Sequence, residues 1–139
     1  MATVTAALSI NSADVLTSNL ALTVNTVINC DSGALIRAKV KATTHDGDAL
    51  KIYTLNQCND RAYVYLRNLD LELEQYVYIY NNTGGASDLV AKVGGGEFAF
   101  VPVAADKSYA VYATKVDTMI EYGIFGNDNS SVPITGAGA

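Results

Sequence analysis

Tryptophan is absent, histidine occurs once, and cysteine, methionine and proline occur twice each in 139 residues. So little nucleophilic and metal-ligating chemistry leaves few starting points for catalysis. Charge is also scarce: 17% of residues are charged, and 14 acidic against 9 basic side chains give a net charge of −5. No run of Lys or Arg occurs, so nothing in the chain tracks a phosphate backbone and nucleic acid is not expected as a partner. No stretch approaches about 18 consecutive apolar residues, so no membrane-spanning helix is expected and a membrane partner is not either. The first basic residue is Arg37. Met1 to Ile36 therefore lacks the basic start of a secretory signal, and it has no unbroken apolar run. The expectation is a protein made in a cytoplasm, which leaves it only as part of a particle. Cys30 and Cys58 match neither a zinc site nor a cysteine-rich secreted scaffold, and free thiols are expected.

What the chain does contain is alternation. Arg61-Ala-Tyr-Val-Tyr-Leu-Arg67 places Ala62, Val64 and Leu66 on one face of a strand and Tyr63, Tyr65 and Arg67 on the other. In Tyr76-Val-Tyr-Ile-Tyr80, Val77 and Ile79 oppose Tyr76, Tyr78 and Tyr80. One face reads as core and the other as a tyrosine wall. A phenol buries a large ring while its hydroxyl stays wet, which suits a surface that is solvated in one state and covered in another. Tyr63, Tyr65, Tyr76, Tyr78 and Tyr80 are accordingly the interface candidates. The competing reading is lateral packing on a half-buried sheet, since tyrosine favours strands in any case.

No helical period persists for three turns, whereas period-two runs recur between turn residues. Ten candidate strands are read, of which eight or more are expected to form: Val4 to Leu8, Leu20 to Ile28, Leu35 to Ala42, Leu50 to Thr54, Ala62 to Asn68, Tyr76 to Asn81, Leu89 to Val93, Glu97 to Val101, Tyr109 to Ala113 and Met119 to Phe125. The fold class is all-β, an antiparallel β-sandwich or jelly-roll-like single domain over residues 1–125. An apolar fraction of 50% in a chain of this size provides an ordinary core, so no cofactor is needed for folding. Met1 to Ile36 holds only Asp14 and Asp31 as charges. Its strands are thus poorly defended against edge pairing; they read either as ordinary sheet strands or as an N-terminal arm covered by another subunit. Residues 126–139, rich in Gly, Asn, Ser and Ala, read as a flexible or partner-ordered tail.

The remaining constellations have ordinary explanations. His45 with Asp46 and Asp48 lies in a run of loop formers and lacks the spacing of a calcium loop. Gly94-Gly-Gly96-Glu97 leads straight into another strand, unlike a phosphate cradle, and reads as a hairpin turn. Asp70, Glu72 and Glu74 alternate with Leu71 and Leu73, which puts three carboxylates on one side of an extended segment, a solvated face rather than an acid pair. Asn81-Asn-Thr83 and Asn129-Ser-Ser131 match the glycosylation pattern and read as turn residues. No catalytic, cofactor or metal residue is assigned, and the chain is expected not to be an enzyme.

Val64-Tyr-Leu-Arg-Asn-Leu-Asp70, then Tyr76-Val-Tyr-Ile79, Gly95-Gly-Glu-Phe-Ala-Phe100, Tyr109-Ala-Val-Tyr-Ala113 and Ile120-Glu-Tyr122, resemble in order and pattern the small virion structural proteins of tailed bacteriophages, especially those of cyanophages and other marine phages. The opening Leu8-Ser-Ile-Asn-Ser-Ala-Asp14 is similar in style to their N-termini. Where such proteins carry a Pro-Gly-Glu-Phe turn, this chain has Gly95-Gly-Glu-Phe98. The resemblance implies a non-enzymatic virion component. The expected role is a capsid cement or decoration protein on the outer capsid surface, with the major capsid protein and itself, as a dimer or trimer, for partners. The alternative is a tail, neck or fibre-associated module that recognises a host glycan or another tail protein.

Overall fold

The computed structural model describes residues 2–30, 32–42, 49–83 and 88–128. Among the described residues ten strands form: β1 (Ala2–Ser12), β2 (Leu20–Cys30), β3 (Ser32–Val40), β4 (Leu50–Tyr53), β5 (Cys58–Asn68), β6 (Val77–Asn81), β7 (Asp88–Val93), β8 (Phe98–Ala104), β9 (Tyr109–Ala113) and β10 (Thr118–Asp128). Each matches one expected strand, β9 with the expected ends and the others with one or both ends shifted. The largest shifts are in β1, which runs on through Ser9, Asn11 and Ser12, and in β5, which begins at Cys58 rather than Ala62, beside β10, which passes the expected boundary at 125 and reaches Asp128. In both places a partner strand supplies backbone hydrogen bonds that weak local propensity would not have predicted: β1 pairs with β2 from Ala2↔Cys30 to Ser12↔Leu20, and β10 reaches Asp128↔Cys58 through a register shift.

The chain separates into two compact units at Asp31, where the sequence reading placed a single domain over residues 1–125. The reason is pairing: among the described residues β1 and β2 bond only to each other. Directly opposed pairs share a face, so Val4, Ala6, Leu8 and Ile10 lie beside Ile28, Thr26, Val24 and Leu22, while Thr3, Thr5, Ser9 and Asn11 lie opposite with Asn29, Val27, Thr23 and Ala21. One face of this hairpin is apolar and the other is dominated by hydroxyls and amides. The loop between the strands opens with a serine turn, in which Ser12 Oγ accepts the N–H groups of Asp14 and Val15.

The second unit holds two four-stranded antiparallel sheets, ordered β3-β10-β5-β8 and β4-β9-β6-β7. Its pairings nest: β3 with β10, β4 with β9, β5 with β8, β6 with β7. This is the pattern of one long hairpin of strands rolled over on itself, the jelly roll. Val40, Val64, Leu66 and Ile120 from one sheet and Ile52, Val77, Ile79 and Val111 from the other meet in a common core. Leu66 is wholly inaccessible, and truncating such a residue to Ala costs about 2–5 kcal/mol. Tyr53 fills the same core, and its hydroxyl donates to the Ala105 carbonyl at 3.1 Å and accepts from the Cys58 N–H at 3.2 Å. Asn56 and Asp60 flank this contact at φ of 64° and 68°, a region that Asn and Asp tolerate better than most residues.

The nested pairing puts the connections β5–β6, β7–β8 and β9–β10 at one end of the roll. Asn68, wholly buried, ties that end together: its Nδ2 donates to the carbonyls of Gln75 (2.6 Å) and Val93 (3.1 Å), and its Oδ1 accepts the Asp70 N–H at 3.0 Å. Gly96, at φ 80°, makes the β7–β8 turn, which Glu97 closes by accepting the Gly94 N–H at 2.7 Å. The glycine run is therefore a tight turn but not the expected hairpin: β7 and β8 do not pair, and the turn carries the chain from one sheet to the other.

Candidate interaction faces

Because core and exterior alternate along each strand, registers decide which outward side chains stand together. On the β3-β10-β5-β8 sheet three rows cross the outer face: Gly33, Phe125, Tyr63 and Pro102; Leu35, Gly123, Tyr65 and Phe100; Arg37, Glu121, Arg67 and Phe98. Lys39 and Met119 begin a fourth. Glycine gives the Phe125 ring its place in the first row: a Cβ at Gly33 would lie 2.7 Å from that ring and force it to shift. Tyr63 stacks on Phe100 with centroids 6.0 Å apart, and the Arg61 guanidinium lies 5.2 Å from the Tyr63 ring centre. Leu35 and Phe98 are 61% and 59% exposed, and Phe100 and Met119 are also exposed.

Charge on this face is lopsided. Arg37, Lys39, Arg61 and Arg67 point outward with Glu121 as their acidic counterpart, in a chain whose net charge is −5. Glu121 accepts from Arg37 Nε at 3.2 Å and from the Tyr65 hydroxyl at 3.1 Å. Burial, reinforced by that hydrogen bond and the carboxylate's charge, raises the Tyr65 pKa. Arg37 is largely exposed, so its ion pair contributes little to stability. The face as a whole is aromatic and basic.

The opposite outer face belongs to the other sheet. Tyr78 pairs directly with Tyr112 and stacks on it at 5.1 Å, and Tyr80 meets Tyr112 edge-on at 5.6 Å. Lys92 Nζ sits 4.1 Å from the Tyr76 ring centre and 5.8 Å from that of Tyr78. The five tyrosine candidates thus divide: Tyr63 and Tyr65 stand on one side of the roll, Tyr76, Tyr78 and Tyr80 on the other. Tyr63, Tyr65, Tyr76 and Tyr78 are half-buried, whereas Tyr80 is buried and offers no surface to a partner. Tyr112, Phe98, Phe100, Phe125 and Leu35 were not singled out from the sequence. The alternation in Glu97-Phe-Ala-Phe100 was the available signal for two of them.

The other constellations resolve simply. Residues 69–76 form a bent loop rather than an extended row: Asp70 Oδ1 accepts the Glu72 N–H at 2.9 Å, and Leu71 is 98% exposed. Asn81 Oδ1 accepts both the N–H and the hydroxyl of Thr83, whose Oγ1 in turn accepts the Ser108 N–H at 2.7 Å, so this triplet builds a turn. Cys30 and Cys58 are both buried and form no disulfide. Among the described residues no group of three or more His, Cys, Asp or Glu is placed to hold a metal ion. His45, Asp46 and Asp48, the Asn129-Ser-Ser131 triplet and most of the 126–139 tail lie outside the described residues.

No family model matches the chain, and no curated protein does. Among solved structures it is similar to a chain from work described as "Bacillus endospore appendages form a novel family of disulfide-linked pili", with a TM-score of 0.52 and 20% identity over 68% of this chain and 81% of that one. At that identity the likeness concerns the fold: an all-β, antiparallel sandwich.

Proposed function

We propose that this chain is a non-enzymatic structural protein of a virus particle, a capsid cement or decoration protein that seats on the outer shell and bridges major capsid subunits. The observation that carries this reading is the aromatic and basic outer face of the β3-β10-β5-β8 sheet. Exposed rings beside arginines are the side chains that dominate protein interfaces once desolvated. Excess positive charge on that face suits an acidic seat, and it accelerates docking while orienting it. A protein of the same fold occurs in disulfide-linked pili, an instance of the fold in an assembled appendage. The mechanism is additive: each copy contributes one contact, and a multivalent copy engages its second site at high effective concentration.

The Tyr78–Tyr112 stack with Lys92 above Tyr76 favours a second reading, a tail or fibre-associated module, because exposed rings can stack on sugars. One experiment separates the two. The chain is mixed with undecorated capsids, and occupancy and disruption temperature are measured, while a glycan array is probed in parallel. Cement activity requires binding and a raised disruption temperature. Phe98→Ala should then weaken binding by about 2 kcal/mol, and Arg67→Glu should weaken it most at low salt. Lys51→Glu, on the opposite sheet, should leave it unchanged. Failure of the wild type to bind capsids, together with specific glycan binding, would replace the cement reading with the tail module.

A further inference from the structure

Among the described residues of the jelly roll, four strands stand at sheet edges: β3 and β8 in one sheet, β4 and β7 in the other. An edge strand invites pairing unless charge, brevity or irregularity defends it. β3 carries Arg37 and Lys39, β4 has only four residues, and β7 carries Asp88 and Lys92 with a register shift against β6. β8 has seven residues, bears no charge and runs in continuous register with β5, so Pro102 is its one defence. The open stretch of edge therefore runs from Phe98 to Val101.

The phase of the ladder fixes what that edge offers. The Asn68 N–H donates to the Glu97 carbonyl at 3.0 Å, in line with the register that sets Arg67 opposite Phe98. Opposed pairs in an antiparallel ladder alternate between bonded and unbonded. Ala99 and Val101 thus bond to β5, while Phe98 and Phe100 turn their N–H and C=O groups away from it. Pro102 falls in the outward phase, where a missing N–H costs the sheet nothing. Beside this edge lies a groove of about 500 Å³, lined by Ala91, Lys92 and Val93 of β7, residues 96 and 97 of the turn, and Phe98 and Ala99 of β8. Ala91 and Ala99 pack against the core yet are only half-buried, because they flank the gap between the edges of the two sheets.

We propose that the shell contact of this sheet is made by strand addition: an extended segment of the capsid protein pairs with Phe98 and Phe100 and becomes a fifth strand beside β8. This rests on the cement reading and adds to it the mode of contact and the chemistry of the segment. Alternate side chains of an added strand point to opposite faces. Those directed inward enter the groove, and apolar ones there complete the rim of the core over Ala91 and Ala99. Those directed outward extend the rows in which Arg67 stands beside Phe98 and Arg61 beside Ala104, and carboxylates suit them. Main-chain bonds supply the affinity and the groove supplies the specificity.

The test compares Phe100→Ala with Phe100→Pro on undecorated capsids, with occupancy measured at increasing concentrations of the full chain. Both variants lose the ring, but only the proline loses the outward N–H. The proline variant should bind at least about tenfold more weakly than the alanine variant. Circular dichroism and urea unfolding verify that each keeps its jelly roll. A second readout needs no variant: hydrogen exchange of the wild type, labelled on the capsid and read residue by residue after release. The Phe98 and Phe100 amides should exchange quickly in the free chain and slow on the capsid, whereas Ala99 and Val101 are protected in both. This readout decides alone if the proline variant does not fold. Should the wild type bind while the two folded variants bind alike, or while the Phe98 and Phe100 amides stay fast, strand addition is overturned and the cement reading stands. A wild type that does not bind capsids would overturn both. Slowing of the same two amides in the free chain as its concentration rises would give the edge to a second copy and overturn the proposal.

Discussion

Replacing Tyr53 by Phe should cost stability at neutral pH and cost nothing, or reverse sign, in strong alkali. The ring is wholly inaccessible, and its hydroxyl bonds Ala105 O and Cys58 N. Removing the hydroxyl does not strand the carbonyl, because the Asn56 N–H also donates to Ala105 O at 2.8 Å. The expected loss is therefore about 1–2 kcal/mol, the lower part of the range for a disrupted buried hydrogen bond. Burial, the largest influence, pushes the Tyr53 pKa from 10.0 up to about 12. The folded value lies above the unfolded one, so the native state keeps a proton that the unfolded chain has released. The resulting stabilisation is complete below pH 10 and disappears as pH rises towards 12. Two pH units at 1.36 kcal/mol each remove about 2.7 kcal/mol from the wild type. The Tyr53→Phe variant has no proton to lose at this position. Tyr65, Tyr109, Tyr112 and Tyr122, whose pKa values are also raised, tilt both proteins alike and cancel in the difference. Urea unfolding followed by circular dichroism at several pH values between 8 and 12 measures the gap. A gap that stays constant across this range would refute the assignment of a buried, protonated, hydrogen-bonded hydroxyl.

The same substitution at Tyr122 should act in the other direction, because its buried hydroxyl has no hydrogen-bond partner; Tyr122→Phe is expected to be neutral or to raise unfolding free energy by about 1 kcal/mol. Asn68→Ala removes three bonds at the loop end. It should lower stability by about 3 kcal/mol or more and raise hydrogen exchange in residues 69–75, both measurable on the purified chain. Cys30 and Cys58, being buried and not joined in a disulfide, should both react with a thiol reagent in denaturant without prior reduction and react slowly in the native protein. Recovery of a Cys30–Cys58 bridge would contradict this.

Strand positions were legible because alternation is a local property: Ala62, Val64 and Leu66 against Tyr63, Tyr65 and Arg67 can be read from seven consecutive residues. The composition of each outer face was not. Phe98, Phe125 and Leu35 come to the Tyr63–Tyr65 side through registers linking β8, β10 and β3 to β5, and no local pattern encodes a register between strands so far apart. The two tyrosine rows looked like one wall because they are close in sequence, yet in a jelly roll β5 and β6 belong to different sheets. Lys92 reaches the Tyr76 and Tyr78 rings through the β6–β7 register, again without any sign in the local sequence. The Asp70–Glu74 segment bends because Asn68 and Asp70 bond its backbone, and such side-chain capture overrides the alternation that suggested a straight strand.

The nested pairing of the jelly roll also sets an order of events during synthesis. β1 meets β2 across a short loop, and hairpins of this kind close within about 1–10 μs. β3, by contrast, waits for β10, since Arg37 and Glu121 are 84 positions apart in the chain. At about 5–20 residues per second, that interval is several seconds of translation. Until β6 and β7 emerge and can pair in their turn, the hairpin is the one local pairing among the described residues, and its uncharged apolar face emerges from the ribosome well before the roll can close.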